Sequence, residues 1–288
     1  MSLPPPMIFN YERPEEVELC YQAASRGDID GVKKQVQSLL HEPRSPTPER
    51  NQPQPTWLFE SLFIAIKNQN LELVKLLLSE KVAEKSDLPF EAAVRARAFE
   101  IMDHFLELGW DINTAMGPGE PSTLSIPICR SDREMVEWLL AHGADPNSRC
   151  DWDLTPMSQA MLAAPLDLID YLFSQGADQR CGQLLHWAVI REKDDALQVV
   201  RRVVELGVSV NEIKYENDPK GWWAREPFGL GTPLHRAAEF GKVDIVKYLL
   251  KVGADPLKLD TKGKTPRYWA ETYNFTEVAL VLKEAEER

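Results

Sequence analysis

The chain has 288 residues, a formal charge of −12 and 43 % hydrophobic residues. Its acidic balance repels phosphate backbones and argues against nucleic-acid partners, and no apolar run approaches the roughly 20 residues of a membrane span. Met1 to Pro14 has neither the basic start nor the apolar centre of a secretory leader, and the four cysteines, Cys20, Cys129, Cys150 and Cys181, show no paired spacing, so free thiols in a reducing compartment, the cytosol or alternatively the nucleus, are expected.

In chain order, residues 1–16 read as an irregular arm opened by Pro4-Pro5-Pro6. A first helical unit is expected at about 17–40, around Ala23-Ala24 and Gly27. A polar, proline-rich linker follows at 41–56; Ser45-Pro46 and Thr47-Pro48 in it are either proline-directed phosphorylation sites or chance pairs in a solvated spacer. Further units are expected at about 56–84, 86–113, 120–150, 151–180 and 181–211. Residues 212–229 form a surplus, and the last units cover 228–260 and 261–288. The spacing carries this division: Thr155 follows Ser122 by 33 residues, Thr265 follows Thr232 by 33, and Gly176 follows Gly143 by 33.

The clearest unit is Thr232 to Pro256, TPLHRAAEFGKVDIVKYLLKVGADP. Thr before Pro suits an N-cap followed by the first helical position. Small residues then recur in first helices, as Ala160, Ala188, Ala237 and Ala270, and let neighbouring helices approach. Ile245, Val246, Tyr248, Leu249 and Leu250 have the spacing of an apolar helix face. Gly253 supplies a left-handed C-cap. No such unit can bury its apolar face alone, so the stack makes the core.

This motif resembles the ankyrin repeat, and the resemblance covers about 17–287. It implies an all-α solenoid of stacked helix-turn-helix units with β-hairpin fingers, one array over 17–288. It also implies a function: recognition of a protein or peptide along a concave groove lined by the first helices and flanked by the fingers. On this likeness the contact positions are the fingertips and the variable pair after the small residues of helix one. They fall on Trp152 at one fingertip and on Arg130, Arg191, Phe240 and Tyr273 in the helix-one column. Lys67 and Arg95 join Arg130 and Arg191 in a basic stripe, which points either to an acidic partner or to solvated helix ends paired with nearby Glu.

Three lengthenings stand out besides the proline-rich linker. Lys214 to Gly229, KYENDPKGWWAREPFG, sits where a hairpin finger is expected, with Asn217-Asp218-Pro219 as a turn signal. Its Trp222, Trp223 and Arg225 argue for a functional loop rather than a disordered one. Smaller surpluses lie at Glu192 to Ala196 and at Met116 to Pro121. Trp152 is read either as a binding anchor or as a staple onto Trp222 or Trp223; tryptophan buries much area at small entropic cost.

Three readings follow. The first is a non-catalytic, monomeric interaction module with Trp152, Trp222, Trp223, Arg225, Arg130, Arg191, Phe240 and Tyr273 at its surface. The second is an enzyme or small-molecule binder whose pocket, roofed by 212–229, would use Asp151, Asp153, His186 and His235. The paired aspartates would lie on one side of an extended finger, roughly 6–7 Å apart, while the histidines also fit the structural slot of the TPLH motif. The third is a scaffold that self-associates through the aromatic finger. No histidine or cysteine set has metal-ligand spacing, and no cofactor is expected.

Overall fold

Two of the repeats, at Thr155 and Thr232, begin where the threonine and the residue three positions on form a capping box. Thr155 Oγ1 accepts from the Ser158 amide at 3.3 Å while Ser158 Oγ accepts from the Thr155 amide at 3.1 Å. At the TPLH copy the Thr232 amide donates to His235 Nδ1 at 3.0 Å. Both close the orphan donors of a helix N-terminus. In a computed structural model of the chain, which describes residues 14–42, 53–83 and 86–288, the short helices so started pair with second helices. Those second helices end at Gly109, Gly143, Gly176, Gly207 and Gly253, all at φ between +87° and +96°. Only glycine occupies that region without a steric penalty. The arm at 1–13 and the linker core at 43–52, with Ser45 and Thr47, lie outside the described residues.

The chain divides into two compact units, one up to Trp110 and one from Asp111. The first holds α1 (Glu15–Ser25), α2 (Ile29–Val36), α3 (Phe59–Lys67), α4 (Leu71–Ser79), α5 (Leu88–Ala96) and α6 (Phe99–Glu107). α3 stacks between α1 and α5, and α4 between α2 and α6. Trp110 covers the end of α6, its ring 4.5 Å from that of Phe105.

The second unit opens with a short antiparallel hairpin, β1 (Ala115–Gly117) and β2 (Glu120–Ser122), in the register Ala115 opposite Ser122. Then come α7 (Ser125–Arg130), α8 (Arg133–Ala141), α9 (Pro156–Ala163), α10 (Leu166–Ser174), α11 (Leu184–Ala188), α12 (Ala196–Glu205), α13 (Pro219–Arg225), α14 (Pro233–Glu239), α15 (Val243–Lys251), α16 (Pro266–Thr272) and α17 (Thr276–Glu286). First helices stack in the order α7, α9, α11 and again α14, α16. Ala160, Ala188, Ala237 and Ala270 are fully buried at those contacts, as their small size requires. Leu168, Val199, Val203, Ile245, Val246, Leu249, Val278 and Leu282 carry the core from the second helices.

An asparagine ladder ties successive turns. Asn113 Nδ2 donates to the Gly143 carbonyl at 3.0 Å and its Oδ1 accepts from the Asp145 amide at 2.7 Å. Asn147 repeats this with Gly176 and Asp178, and Asn211 with Gly253 and Asp255. Each rung satisfies the exposed carbonyl left by a glycine cap.

Two expectations change. Residues 212–229 hold no hairpin: α13 and a 3-10 turn at Glu226–Phe228 occupy them. Asp218 and Pro219, read as a turn, serve as N-cap and first helical residue, with the Asp218 carboxylate accepting from the Gly221 amide at 3.1 Å. Among the described residues the strands at 115–122 form the one two-stranded sheet. The 151–153 fingertip is a tight turn in which Trp152 and Asp153 adopt left-handed φ of 63° and 47°.

Candidate partner-binding site

The surplus before Thr232 is pinned at several points. Its base is closed by the Lys214 amide donating to the Gly231 carbonyl at 3.1 Å. The Tyr215 amide donates to Gln183 Oε1 at 2.9 Å. Tyr215 lies under α13 because Gly221 leaves room: a Cβ there would sit 2.9 Å from the tyrosine ring. Lys220 pairs with Asp151. The Arg225 guanidinium lies 4.3 Å above the Trp152 ring. At the far end Thr261 Oγ1 donates to the Glu226 carbonyl and accepts from the Leu230 amide, at 2.9 and 2.8 Å.

On this fixed platform two rings face solvent. Trp223 is 85 % exposed and Phe228 is 72 % exposed. Trp222 and Arg225 are half-buried, as is Trp152, whose ring also borders Gly119 of the hairpin turn. Trp152 is therefore covered by an arginine from α13 and does not stand out as a bare fingertip. Phe240 and Tyr273 cap the ends of α14 and α16 and are both exposed. The Arg236 guanidinium lies 5.0 Å from the Phe240 ring, and Tyr273 stacks on Trp269 at 6.3 Å. Trp269 Nε1 in turn donates to Asp260 at 2.9 Å.

The basic column does not hold together as a surface. Arg130 is exposed at the end of α7. Arg95 pairs with Glu91 at 2.7 Å. Arg191 is fully buried, which corrects its reading as a contact residue. Its guanidinium bonds Asp195 at 2.6 and 2.7 Å and donates to the Met161 and Ala164 carbonyls of the α9 end at 3.0 and 2.8 Å. The physical reason is the surplus at 192–196: it sets Asp195 four residues after Arg191, and the pair folds inward to satisfy carbonyls that α9 leaves open. The arginine in turn holds the Asp195 carboxyl below its usual range.

The four residues of the catalytic alternative do not converge. Asp153 is buried and accepts from the Gly182 amide at 3.1 Å and from Gln183 at 2.8 Å, with Arg149 at 3.2 Å. Asp151 turns outward to Lys220. The left-handed backbone at 152–153 removes the extended geometry that would have set the two carboxylates side by side. His186 is buried, 3.2 Å from the Gly231 carbonyl, and burial followed by the nearby Lys214 charge lowers its pKa to about 3. His235 bridges Thr232 and the Lys264 carbonyl, 3.0 Å away, and burial lowers its pKa as well. Both histidines serve the loops between repeats.

Sequence reasoning missed the most unusual group nearby. Lys214 is only 9 % exposed, with its Nζ 3.7 Å from the Trp187 ring centre and 5.1 Å from that of Tyr215. Burial, then Arg236 and Arg225, pushes its pKa down to about 7. An apolar-flanked lysine in an otherwise polar stretch (Ile213, Lys214, Tyr215) was the only signal, and it does not reveal that Trp187 lies across the chain.

Among the described residues no helix is long and apolar enough to cross a membrane, no group of His, Cys, Asp or Glu side chains could hold a metal ion, and the four cysteines are free.

A family model described as ankyrin repeats matches residues 216–287. The chain is 24 % identical over 214 residues to alpha-latrocrustotoxin-Lt1a of Latrodectus tredecimguttatus, covering 69 % of this chain and 14 % of that protein. It is 27 % identical over 201 residues to the ankyrin repeat and KH domain-containing protein mask-1 of Caenorhabditis elegans, covering 65 % and 7 %. It is 23 % identical over 213 residues to the putative ankyrin repeat protein FPV022 of Fowlpox virus, covering 73 % and 33 %. The chain thus spans a third or less of the length of these relatives. Ankyrin repeats mediate protein–protein interaction. The 33-residue motif and the stacked helix pairs agree with this match: residues 216–287 carry ankyrin repeats, and the chain beyond them is similar to ankyrin-repeat proteins.

Proposed function

We propose that the chain is a non-catalytic interaction module that anchors a protein or peptide segment on the α13 platform and on the adjoining ends of the first helices. The observation that carries this reading is the pair Trp223 and Phe228, two large rings held in solvent on a segment secured at both ends. An aromatic residue left in water by a mobile loop would be unremarkable. A backbone fixed by an N-capped helix, an ion pair and a cation–π stack spares binding the cost of ordering the segment that presents the rings. Large rings of this kind dominate interface energetics. On this reading the exposed Phe240, Tyr273 and Arg130 add contacts, with Trp222 beside Trp223 on α13 and the Arg225–Trp152 stack holding the platform.

Peptides selected on the wild-type protein from a random display library test this. The Trp223→Ala/Phe228→Ala double variant should bind them at least ~30-fold more weakly in fluorescence polarisation, a loss of about 2 kcal/mol expected of hot-spot residues. Selected peptides that bind both proteins equally would refute the assignment. Size-exclusion chromatography of the same pair separates partner binding from self-association: a dimer that the double variant dissolves would favour a scaffold built on α13.

A further inference from the structure

We propose that Lys214, Arg236 and the indole N–H of Trp187 form a subsite for an acidic side chain of the bound peptide; this deepens the reading above and rests on it. Three buried donors there lack acceptors. Lys214 is almost fully buried, and among the described residues its Nζ has ring faces beside it but no hydrogen-bond or ion-pair partner. Trp187 Nε1 and Arg236 Nε are both sealed from solvent without a hydrogen-bond partner. Buried donors are nearly always paired in folded proteins, and leaving them unmet is costly. With Lys214 protonated all three are donors and cannot satisfy one another. What the cluster lacks is an acceptor.

The charges agree. Lys214 feels Arg236 from α14 and Arg225 from α13, both of which disfavour its protonated form, and Glu239 from α14 as the opposing carboxylate. Glu239 is already engaged by Arg236. Arg180, Arg149, Arg202 and Lys220 sit beside aspartates. The Lys214 cluster is thus a local positive excess in a chain of net charge −12. His186, which also faces Lys214 from α11, stays neutral near pH 7 because its pKa lies at about 3. The part of the cluster nearest solvent is Arg236 on α14, partly exposed beside the exposed Phe240 ring, and an acidic side chain would enter there by displacing that ring. A carboxylate on a flexible stem is the acceptor that unpaired N–H donors of this kind lack.

The linkage has a definite sign. Free Lys214 titrates near pH 7. A carboxylate beside the ammonium raises that pKa, so binding takes up a proton, and affinity falls as pH rises above 7, by up to about tenfold per unit.

The probe is acetyl-tetraglutamate amide, with acetyl-tetraglutamine amide, inorganic phosphate and a neutral peptide bearing a free C-terminal carboxylate as the other arms. The readouts are the NMR signals of the Lys214 ε-methylene and the Trp187 indole N–H. The tetraglutamate should shift both saturably at millimolar concentration, raise the Lys214 midpoint by about one unit and bind more weakly at pH 8 than at pH 6.5. The tetraglutamine should do neither. Lys214→Met should abolish the Trp187 shift, and Lys214→Arg should keep it. No saturable response to tetraglutamate overturns the proposal. So does an equal Trp187 shift in folded Lys214→Met, a response to phosphate alone, or one to the C-terminal carboxylate alone. If Lys214→Met fails to fold, the wild-type titration and Lys214→Arg decide. The probe needs no aromatic anchor, so Trp223→Ala/Phe228→Ala should leave its response intact. A silent tetraglutamate with display peptides still lost in that double variant sinks this subsite alone. The reverse sinks the aromatic anchor alone.

Discussion

Two neighbouring stretches of the second unit, Thr232 to Pro256 and Asp178 to Gly231, obey different rules. In the first, every position has the residue its backbone asks for: a threonine cap, a proline at N1, small residues at the helix contact, a glycine at +96° and an asparagine rung onto Gly253. In the second, the ladder breaks. Arg180 stands where Asn147 and Asn211 have their counterparts, and it folds back onto Asp178 at 2.7 Å, holding that carboxyl down to about 2. No capping threonine starts α11; Gln183 enters it with a left-handed backbone. The stretch is then stabilised by polar groups turned inward: Arg191 on Asp195 and His186 on Gly231. The lesson is that an ankyrin array tolerates a long insertion when buried side-chain polar contacts replace the missing backbone-directed caps.

The comparison can be broken at several points. Removing Arg191 should do the most harm, because Arg191→Ala leaves two carbonyls of the α9 end and Asp195 without their donor. A loss of about 3 kcal/mol or more is expected in urea unfolding; a loss under about 1 kcal/mol would mean that the guanidinium is not structural. In the regular copy the same scale of loss comes from an ordinary cavity. Leu249→Ala, at a fully buried position, should cost about 3 kcal/mol, with a smaller cost if the stack can collapse around it.

Acid sharpens the contrast next. The folded-state pKa of His186 lies far below its ordinary 6.5. Its contribution is therefore complete above pH 6.5 and is lost as pH falls towards 3, at up to about 1.4 kcal/mol per pH unit. His235 adds in the same direction. Urea midpoints measured from pH 6.5 to 4.5 should drop steeply for wild type and less for His186→Gln, with parallel curves counting against this cause. At alkaline pH the sign for Lys214 is also fixed: the unfolded chain holds its proton up to about pH 10.5 and the folded chain releases it near 7, so stability rises with pH between those values. Lys214→Met should flatten that rise.

A rung of the ladder is worth less. Asn147→Ala removes bonds to the Gly176 carbonyl and the Asp178 amide at an exposed edge, and about 1 kcal/mol is expected. The smallest change should come from Trp223→Ala, within about 0.5 kcal/mol of wild type, because its ring touches mostly water. A large loss of stability there would mean that the ring supports the fold rather than awaiting a partner.

The repeat period, the capping threonines, the helix-contact alanines and the glycine caps were legible because each expresses a local rule that acts over three or four residues, and the fold follows from repeating them. The aromatic content of 214–229 was legible too, but not its form. Asp218-Pro219 fits a turn and a helix start equally well by local chemistry, and only the seating of Tyr215 beneath Gly221 and of Arg225 on Trp152 selects the helix. Arg191 and Arg130 occupy equivalent places in the motif, yet one is buried and one exposed, since a carboxylate four residues on and two open carbonyls from α9 draw the first inward. The chain's local periodicity determined what is stacked. The tertiary structure alone decided which charges are exposed, because burial of a cation depends on acceptors and rings supplied by distant parts of the chain, as Trp187 does for Lys214.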